Sequence, residues 1–249
     1  MQNLSKNKIK WIKSLQLKKN RDSFKVFVIE GDKMIQEALS FASASIELIC
    51  YTKTSAFSGN SSINTIENYL VNDEELKSIS SLKNPNKSFA VIKNEYKSIQ
   101  PSALKIAIDG VQDPGNMGTI LRLADWYGIT EIICSNETVD CYNPKVIQAS
   151  MGAIFRVKVK YLDLNTFLAK QKKTIFGALL NGENIYSKNL APEGILVLGN
   201  EGHGISKEIE KMISCPLTIP KIGQTESLNV STATGIILSE FYRNQLKEI

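Results

Sequence analysis

Hydrophobic positions fall into two regimes along the chain. Over the first hundred residues they form a few short clusters. "KVFVIEG" reads as a buried strand closed by a glycine turn, and "DKMIQEALSFA" carries Met34, Ile35, Ala38 and Leu39 at helical spacing. "IELICY" and "SFAVIK" read as further short strands. Between them, "SAFSGNSSINTIENYLVNDEELKSIS" reads as a polar loop leading into short helical pieces. At the N-terminus Leu4, Trp11, Ile12 and Leu15 lie at near-helical spacing, which predicts a helix docked on one side.

From Leu104 the pattern changes. "LKIAIDG", "EIICS", "FRVKVKYL", "TIFGALL", "GILVLGN" and "PLTIP" are apolar runs with glycine or proline at their ends, and helical segments separate most of them. Such alternation predicts a mainly parallel sheet covered on both faces. "KNEYKSIQPSALK" is polar, aperiodic and contains Pro101, so it is the expected linker. The fold class is therefore α/β in two domains, a small one over residues 1–100 and a larger one over 101–249.

Composition narrows the classes. With 249 residues, 43% of them hydrophobic and 22% charged, the chain can bury a core in one large or two modest domains. No apolar run approaches the roughly 20 residues of a membrane helix. "MQNLSKNKIKWIKSL" is basic but lacks the apolar core and small-residue cleavage site of a secretory signal, and a cytoplasmic location is expected. Cys50, Cys134, Cys141 and Cys215 form no C-x-x-C pair, so they read as buried free thiols and no metal site is expected.

The net charge of +5 is permissive of nucleic acid and little more. Its distribution says more. Lys6, Lys8, Lys10, Lys13, Lys18, Lys19, Arg21 and Lys25 face a single acid, Asp22, within the first 25 residues. A solvated face and a phosphate-contacting surface both fit that pattern.

Candidate chemistry sits in three loops, each placed after a strand of the C-terminal half: "DPGNMG", "GNEGHG" and "KIGQTESLN". Ligands gather at the carboxyl ends of strands in parallel α/β sheets. Gly199, Gly202 and Gly204 follow G-x-x-G-x-G and lack the later acidic residue of a dinucleotide fold, which disfavours a nicotinamide-dependent oxidoreductase. Glu201 reads either as a loop-bracing acceptor or as a substrate contact. His203, the one histidine, has no obvious orienting partner and reads as incidental. Leu228 to Tyr242 reads as a helix whose first turns are rich in small residues, Ser231 to Gly235. Ser227 and Asn229 stand at its start, where such side chains satisfy free backbone donors. Capping accounts for Asn229 less well than for Ser227, since two successive caps are not needed.

Taken in order, "DPGNMGTILRLADWYG", "LVLGNEGHGIS" and "IPKIGQTESLNVSTATGIILSEF" resemble the three motifs of the SpoU (TrmH-like) RNA ribose methyltransferases of the SPOUT superfamily, over about Leu104 to Asn244. Upstream, "FVIEGDKMIQEAL" is similar to a signature of the small substrate-binding domain that often precedes them. The resemblance implies a C-terminal segment threaded into a trefoil knot and a homodimer. It also implies S-adenosylmethionine held by backbone near Leu198, Gly199, Ile219 and Leu228. The implied reaction is methyl transfer to a ribose 2′-hydroxyl of RNA, ribosomal RNA being favoured and transfer RNA possible. The small leading domain is what favours ribosomal RNA, because it resembles those attached to ribosomal RNA methyltransferases.

By position, the resemblance assigns catalysis to Arg122, with Asn116, Glu201, Ser227 and Asn229 shaping the site. Lowering a guanidinium pKa from above 12 to 7 costs at least roughly 7 kcal/mol, so Arg122 suits charge-assisted hydrogen bonding to a phosphate or developing alkoxide better than proton abstraction. Away from the motifs, Arg122 would read as a helix arginine extending from an apolar face. A catalytically inactive RNA-binding protein on the same scaffold is the alternative function, although every motif residue of an active enzyme is present.

Overall fold

The computed structural model describes residues 4–95 and 100–245. In chain order the first elements are α1 (Lys6–Ser14), α2 (Lys18–Phe24), β1 (Val26–Glu30), α3 (Asp32–Ala42), β2 (Ile46–Tyr51), β3 (Glu67–Leu70), α4 (Asp73–Ile79) and β4 (Ser88–Lys93). Next come β5 (Leu104–Ile108), α5 (Pro114–Trp126), β6 (Glu131–Cys134), α6 (Pro144–Ser150), β7 (Lys158–Tyr161) and α7 (Leu164–Ala169). The chain ends with β8 (Ile175–Asn184), β9 (Gly194–Leu198), α8 (Lys207–Glu210), β10 (Cys215–Thr218) and α9 (Val230–Tyr242). Two compact units result: Met1–Lys97 with Tyr142–Phe155, and Ser98–Cys141 with Arg156–Ile249.

The first unit is built on a four-stranded sheet in the order β1-β4-β2-β3. β4 runs antiparallel to both β1 and β2, while β3 pairs parallel to β2. Val26, Val28, Leu48, Phe89 and Val91 form its core with Ile12 of α1, Leu15 just after that helix, and Leu76 and Ile79 from α4. α4 begins in a capping box, Asn72 accepting from the Glu75 amide and Glu75 from the Asn72 amide. α6 belongs to this unit, with Tyr142 just ahead of it stacked on Phe27 of β1 at 4.6 Å.

Three differences from the sequence reading stand out here. The expected N-terminal helix is two helices, broken after Ser14, and α2 ends on Lys25 in the left-handed region at φ 53°. β3 lies inside the stretch read as loop. The basic segment is also not uniformly available for phosphate. Arg21 is buried, its guanidinium donating to the Leu15 and Gln16 carbonyls at 2.9 Å, and Lys8 pairs with Glu67 at 2.7 Å. Lys6, Lys10, Lys13, Lys19 and Lys25 remain exposed. Of the expected linker, residues 96–99 lie outside the described residues.

The second unit carries a six-stranded sheet in the order β10-β8-β9-β5-β6-β7, with every pair parallel. Parallel strands buried on both faces need near-continuous apolar runs, and Ile106–Ile108, Ile132–Cys134 and Leu196–Leu198 are all buried. Ala107, Ile133, Ile195 and Val197 pack with Leu164, Leu168 and Ile209 of α7 and α8. Their neighbours along each strand point to the opposite face. α5 packs against α9, with Tyr127 and Tyr242 stacked at 5.3 Å where the two helices end. The chain runs outward from β5 through β6 to β7, then crosses to the far side for β8 and β9. The strand order therefore reverses between β5 and β9, and a crevice opens at their carboxyl ends.

Candidate active site

The three motif loops leave the carboxyl ends of β5, β9 and β10, and their side chains interlock. Asp113 caps α5 by accepting from the Asn116 amide at 2.8 Å, and Pro114 occupies the first helical position, where a missing N–H costs nothing. That start presents the buried Asn116 carboxamide inward. Its Nδ2 donates to Glu201 Oε1 at 2.9 Å, and its Oδ1 accepts from Asn229 Nδ2 at 2.8 Å.

Asn229 is the N-cap of α9, its Oδ1 accepting from the Ser231 amide at 2.9 Å and the Thr232 amide at 3.3 Å. A single carboxamide has both a donor and an acceptor end, so Asn229 caps one helix and ties it to another. Capping and site-shaping are thus one role, not alternatives. Ser227 is exposed and makes no hydrogen bond among the described residues, so the structure places the cap on Asn229.

Glu201 braces the loops. Besides Asn116 it receives the backbone amides of Gln112 and Asp113, each at 3.3 Å. Burial opposes its ionisation, but hydrogen bonds from Asn116 and from the backbone of Glu201, Gln112 and Asp113 outweigh it and hold the carboxyl below the usual carboxylate range. The turn that carries Glu201 is held by Asn200 and Gly204, whose amides and carbonyls exchange two 2.9 Å bonds. Asn200 also donates from Nδ2 to the Gly110 carbonyl at 2.6 Å and accepts the amides of Gly202 and His203 at 2.8 and 3.1 Å. Asp109 accepts the Ser206 amide at 2.8 Å. His203 takes part through its backbone alone among the described residues.

Sequence reasoning did not single out Asn200, Asp109 or Ser231. The signal was present for the first two, since both stand at the carboxyl end of a parallel strand. Ser231 donates from Oγ to Asn229 Oδ1 at 2.7 Å, and nothing in its small-residue neighbourhood distinguished it.

Arg122 stands apart. It lies six residues after Asn116, about 9 Å along the axis of α5, on the exposed side of the helix. Among the described residues its guanidinium has no hydrogen bond or ion pair. It is a free, solvated cation, available to an anionic ligand. One turn further on, Trp126 is 82% exposed.

The residues expected at the cofactor also fit a ligand held by backbone. Leu198 is fully buried at the end of β9, while Ile219 is half-buried and Leu228 is 48% exposed. Gly199 makes the tight return of the second loop possible, because a Cβ there would sit 2.3 Å from the Gly204 carbonyl carbon and 2.4 Å from the Ile205 amide nitrogen. Residues 220–228 enter no backbone–backbone hydrogen bond among the described residues, and apart from the Thr225 carbonyl, which accepts from Lys221 Nζ at 3.5 Å, their main-chain groups are open to a polar ligand. No group of histidine, cysteine, aspartate and glutamate side chains among the described residues could hold a metal ion.

Comparison with known proteins agrees with this arrangement. Residues 103–239 match the SpoU rRNA Methylase family, and residues 6–90 match the MRM3-like substrate binding domain. The chain is 29% identical over 236 residues to the 23S rRNA (guanosine(2553)-2′-O)-methyltransferase RlmP of Bacillus subtilis, covering 93% of this chain and 94% of that protein. It is 35% identical to a protein assigned to the TrmH family of RNA methyltransferases from Porphyromonas gingivalis, whose structure superposes with a TM-score of 0.84 over 98% of this chain and 100% of that one. The AdoMet-bound rRNA methyltransferase of Sinorhizobium meliloti is 27% identical, with a TM-score of 0.84 over 98% of this chain and 97% of that one. Motifs, interlocked loops and similarity over both units converge: the chain belongs to the SpoU rRNA methylase family.

Proposed function

We propose that this protein transfers a methyl group from S-adenosylmethionine to a ribose 2′-hydroxyl of RNA, ribosomal RNA in preference to transfer RNA. The observation that carries the reading is the Asn116–Glu201–Asn229 network, which joins all three motif loops around backbone left open to a ligand. Leu198, Gly199, Ile219 and Leu228 would hold the cofactor through their main chain, and what it supplies is a methyl group on a sulfonium, a good leaving group. The ribosomal preference rests on the full-length similarity to RlmP and on the leading substrate-binding domain.

A ribose hydroxyl is a weak nucleophile, so the protein's task is alignment and charge. Asn116 and Asn229 fix the starts of α5 and α9, and Glu201 fixes the first two loops to each other. Arg122, free and exposed, meets the RNA. Its guanidinium donates two charge-assisted hydrogen bonds to a phosphate or to the oxygen that gains charge as its proton leaves. A permanently protonated guanidinium does this without giving up a proton, which leaves proton removal to the phosphate or to water.

The exposed lysines of α1 and α2 are phosphate contacts in this reading. A homodimer with the catalytic units adjoining completes it, supported by Trp126 beside Arg122 on the open face of α5. No helix among the described residues is long and apolar enough to cross a membrane, in keeping with action on RNA in the cytoplasm.

The test is transfer of labelled methyl from S-adenosylmethionine to unmodified ribosomal and transfer RNA, followed by mass spectrometry of the digested nucleosides. A 2′-O-methylated nucleoside from ribosomal RNA that Arg122→Ala abolishes is the expected result. Transfer to transfer RNA alone would overturn the substrate preference, and failure to bind S-adenosylmethionine would overturn the activity.

A further inference from the structure

Arg122 has four neighbours at helical spacing on α5. Gly118 and Thr119 stand four and three positions before it, and Asp125 and Trp126 three and four positions after it. Side chains so placed lie on one face, about 5–6 Å apart at Cβ. Thr119 turns its hydroxyl back to the Gly115 carbonyl at 2.9 Å. Asp125 is the one anion of the four. A carboxylate at that spacing is a ready counter-ion for a solvated guanidinium, and pairing with it would occupy the donors that Arg122 offers to RNA.

Asp125 is held elsewhere. Arg156 Nε donates to both of its oxygens at 3.0 Å, and Arg156 Nη2 lies 2.9 Å from Oδ2. The two side chains are 26% and 27% exposed, so this pair is partly shielded from water while Arg122 is in solvent. A planar guanidinium that engages both oxygens of a carboxylate binds it strongly, whereas arginine followed by an acid is the less favourable order of a helix pair. Backbone fixes the arrangement. Arg156 stands two residues before β7, and the Lys158 amide donates to the Thr130 carbonyl at 2.9 Å, which holds the approach to β7 against the turn leaving α5. Asp125 lies in the last turn of α5, where a bare negative charge opposes the helix dipole. Without Arg156 that carboxylate would gain from any cation, and Arg122 is one turn away on its own helix.

We propose that Arg156 is a positioning residue for methyl transfer: by holding both oxygens of Asp125 it keeps the Arg122 guanidinium free for RNA. The inference rests on the role given to Arg122 above. Loss of Arg156 acts in two ways. Asp125 pairs with Arg122 for part of the time, and its unbalanced charge repels an approaching phosphate. A plain tether between α5 and the start of β7 needs both partners and would fail equally when either is removed. A guard fails only when Asp125 is left behind without Arg156.

The experiment measures transfer of labelled methyl from S-adenosylmethionine to unmodified ribosomal RNA by the full chain and its variants. Arg156→Gln is expected to lower kcat/KM by about three- to tenfold, the worth of one uncompensated charge nearby in a water-rich setting. Its affinity for S-adenosylmethionine by calorimetry stays unchanged, and Arg156→Lys, which keeps the charge, recovers part of the loss. Asp125→Asn keeps the wild-type rate, and Arg156→Gln with Asp125→Asn returns to it, although all of these but Arg156→Lys have lost the same ion pair. Equal losses in Arg156→Gln and Asp125→Asn, no recovery in the double variant, or wild-type transfer by Arg156→Gln overturns this assignment and leaves the methyltransferase reading intact. Wild-type transfer by Arg122→Ala overturns the role of Arg122 and this inference with it. Absence of transfer by the wild type to any RNA overturns the methyltransferase reading as well.

Discussion

Asn229 donates from Nδ2 to Asn116 Oδ1 at 2.8 Å, joining the first turns of two helices whose contacting residues are 113 positions apart. The same Asn229 caps α9, so removing it has two separable consequences. Asn229→Ala loses cap and bridge and is expected to destabilise the fold by about 1–2 kcal/mol. Asn229→Ser keeps a capping oxygen but cannot reach as a donor in the same way. It is expected to recover most of the stability and little of the cofactor affinity, checked by chemical denaturation and calorimetry on both variants.

Arg122 predicts the opposite separation. Being exposed and without a partner, it contributes nothing that folding would miss, so Arg122→Ala should change stability by less than about 0.5 kcal/mol. If it stabilises charge on the reacting oxygen or holds a phosphate, methyl transfer should fall by about 10²–10³-fold with S-adenosylmethionine affinity unchanged. Arg122→Lys, which keeps the charge but loses the planar fork, should fall between the two. Single-turnover transfer assays give the ranking.

Gly199 is constrained by the peptide that joins Gly204 to Ile205. A Cβ would meet main-chain atoms of Gly204 and Ile205, which cannot swing away as a side-chain tip can. Gly199→Ala should cost about 1–3 kcal/mol and displace the turn that carries Glu201. Calorimetry should then detect cofactor binding weakened beyond what the change in melting temperature accounts for.

Glu131, on β6, is buried between Lys105 on β5 and Lys160 on β7, and it forms an ion pair with each. Burial alone would raise its pKa, but the hydrogen bonds and charges of the two lysines prevail and hold it below the ordinary carboxylate value. A carboxylate whose folded pKa is depressed contributes stability that is present above its unfolded pKa, roughly 4.3, and is lost as pH falls through the folded value. Glu131→Gln should cost about 1–2 kcal/mol at neutral pH, discounted for the partial exposure of both lysines. Its melting temperature should also fall less steeply than the wild type's below pH 5. Equal slopes in thermal melts from pH 6 to pH 3 would count against this account.

Much of the fold was legible along the chain because parallel strands buried on both faces must be continuously apolar, and such runs stand out between polar helices. β1, α3, β2 and β4 were read as they occur, and each strand from β5 to β10 was found, although β8 runs on to Asn184, past the apolar run that announced it, over residues that are exposed. β3 was not. Glu67–Leu70 has one buried residue, Tyr69, and becomes a strand because β2 offers it a parallel edge, a contact that no local pattern records. The division after Ser14 was hidden for a similar reason. The helix ends where Leu15 and Gln16 turn their carbonyls to Arg21, and that arginine looked like surface charge until its burial was known.

The candidate site divides along the same line. The sequence by itself determined which residues gather at the strand ends, since glycine, asparagine and aspartate after an apolar run are recognisable chemistry. It also determined the family, because three short motifs in order are rarely met by chance. Only the tertiary structure decided what those residues do to one another. It turned Glu201 into a brace, made Asn229 both cap and bridge, left Ser227 exposed and outside that network, and held Arg122 free in solvent. The physical reason is that hydrogen bonds depend on the distance and direction between groups 80 to 115 residues apart. That relation is set by how the sheet reverses its strand order, and no periodicity along the chain encodes it.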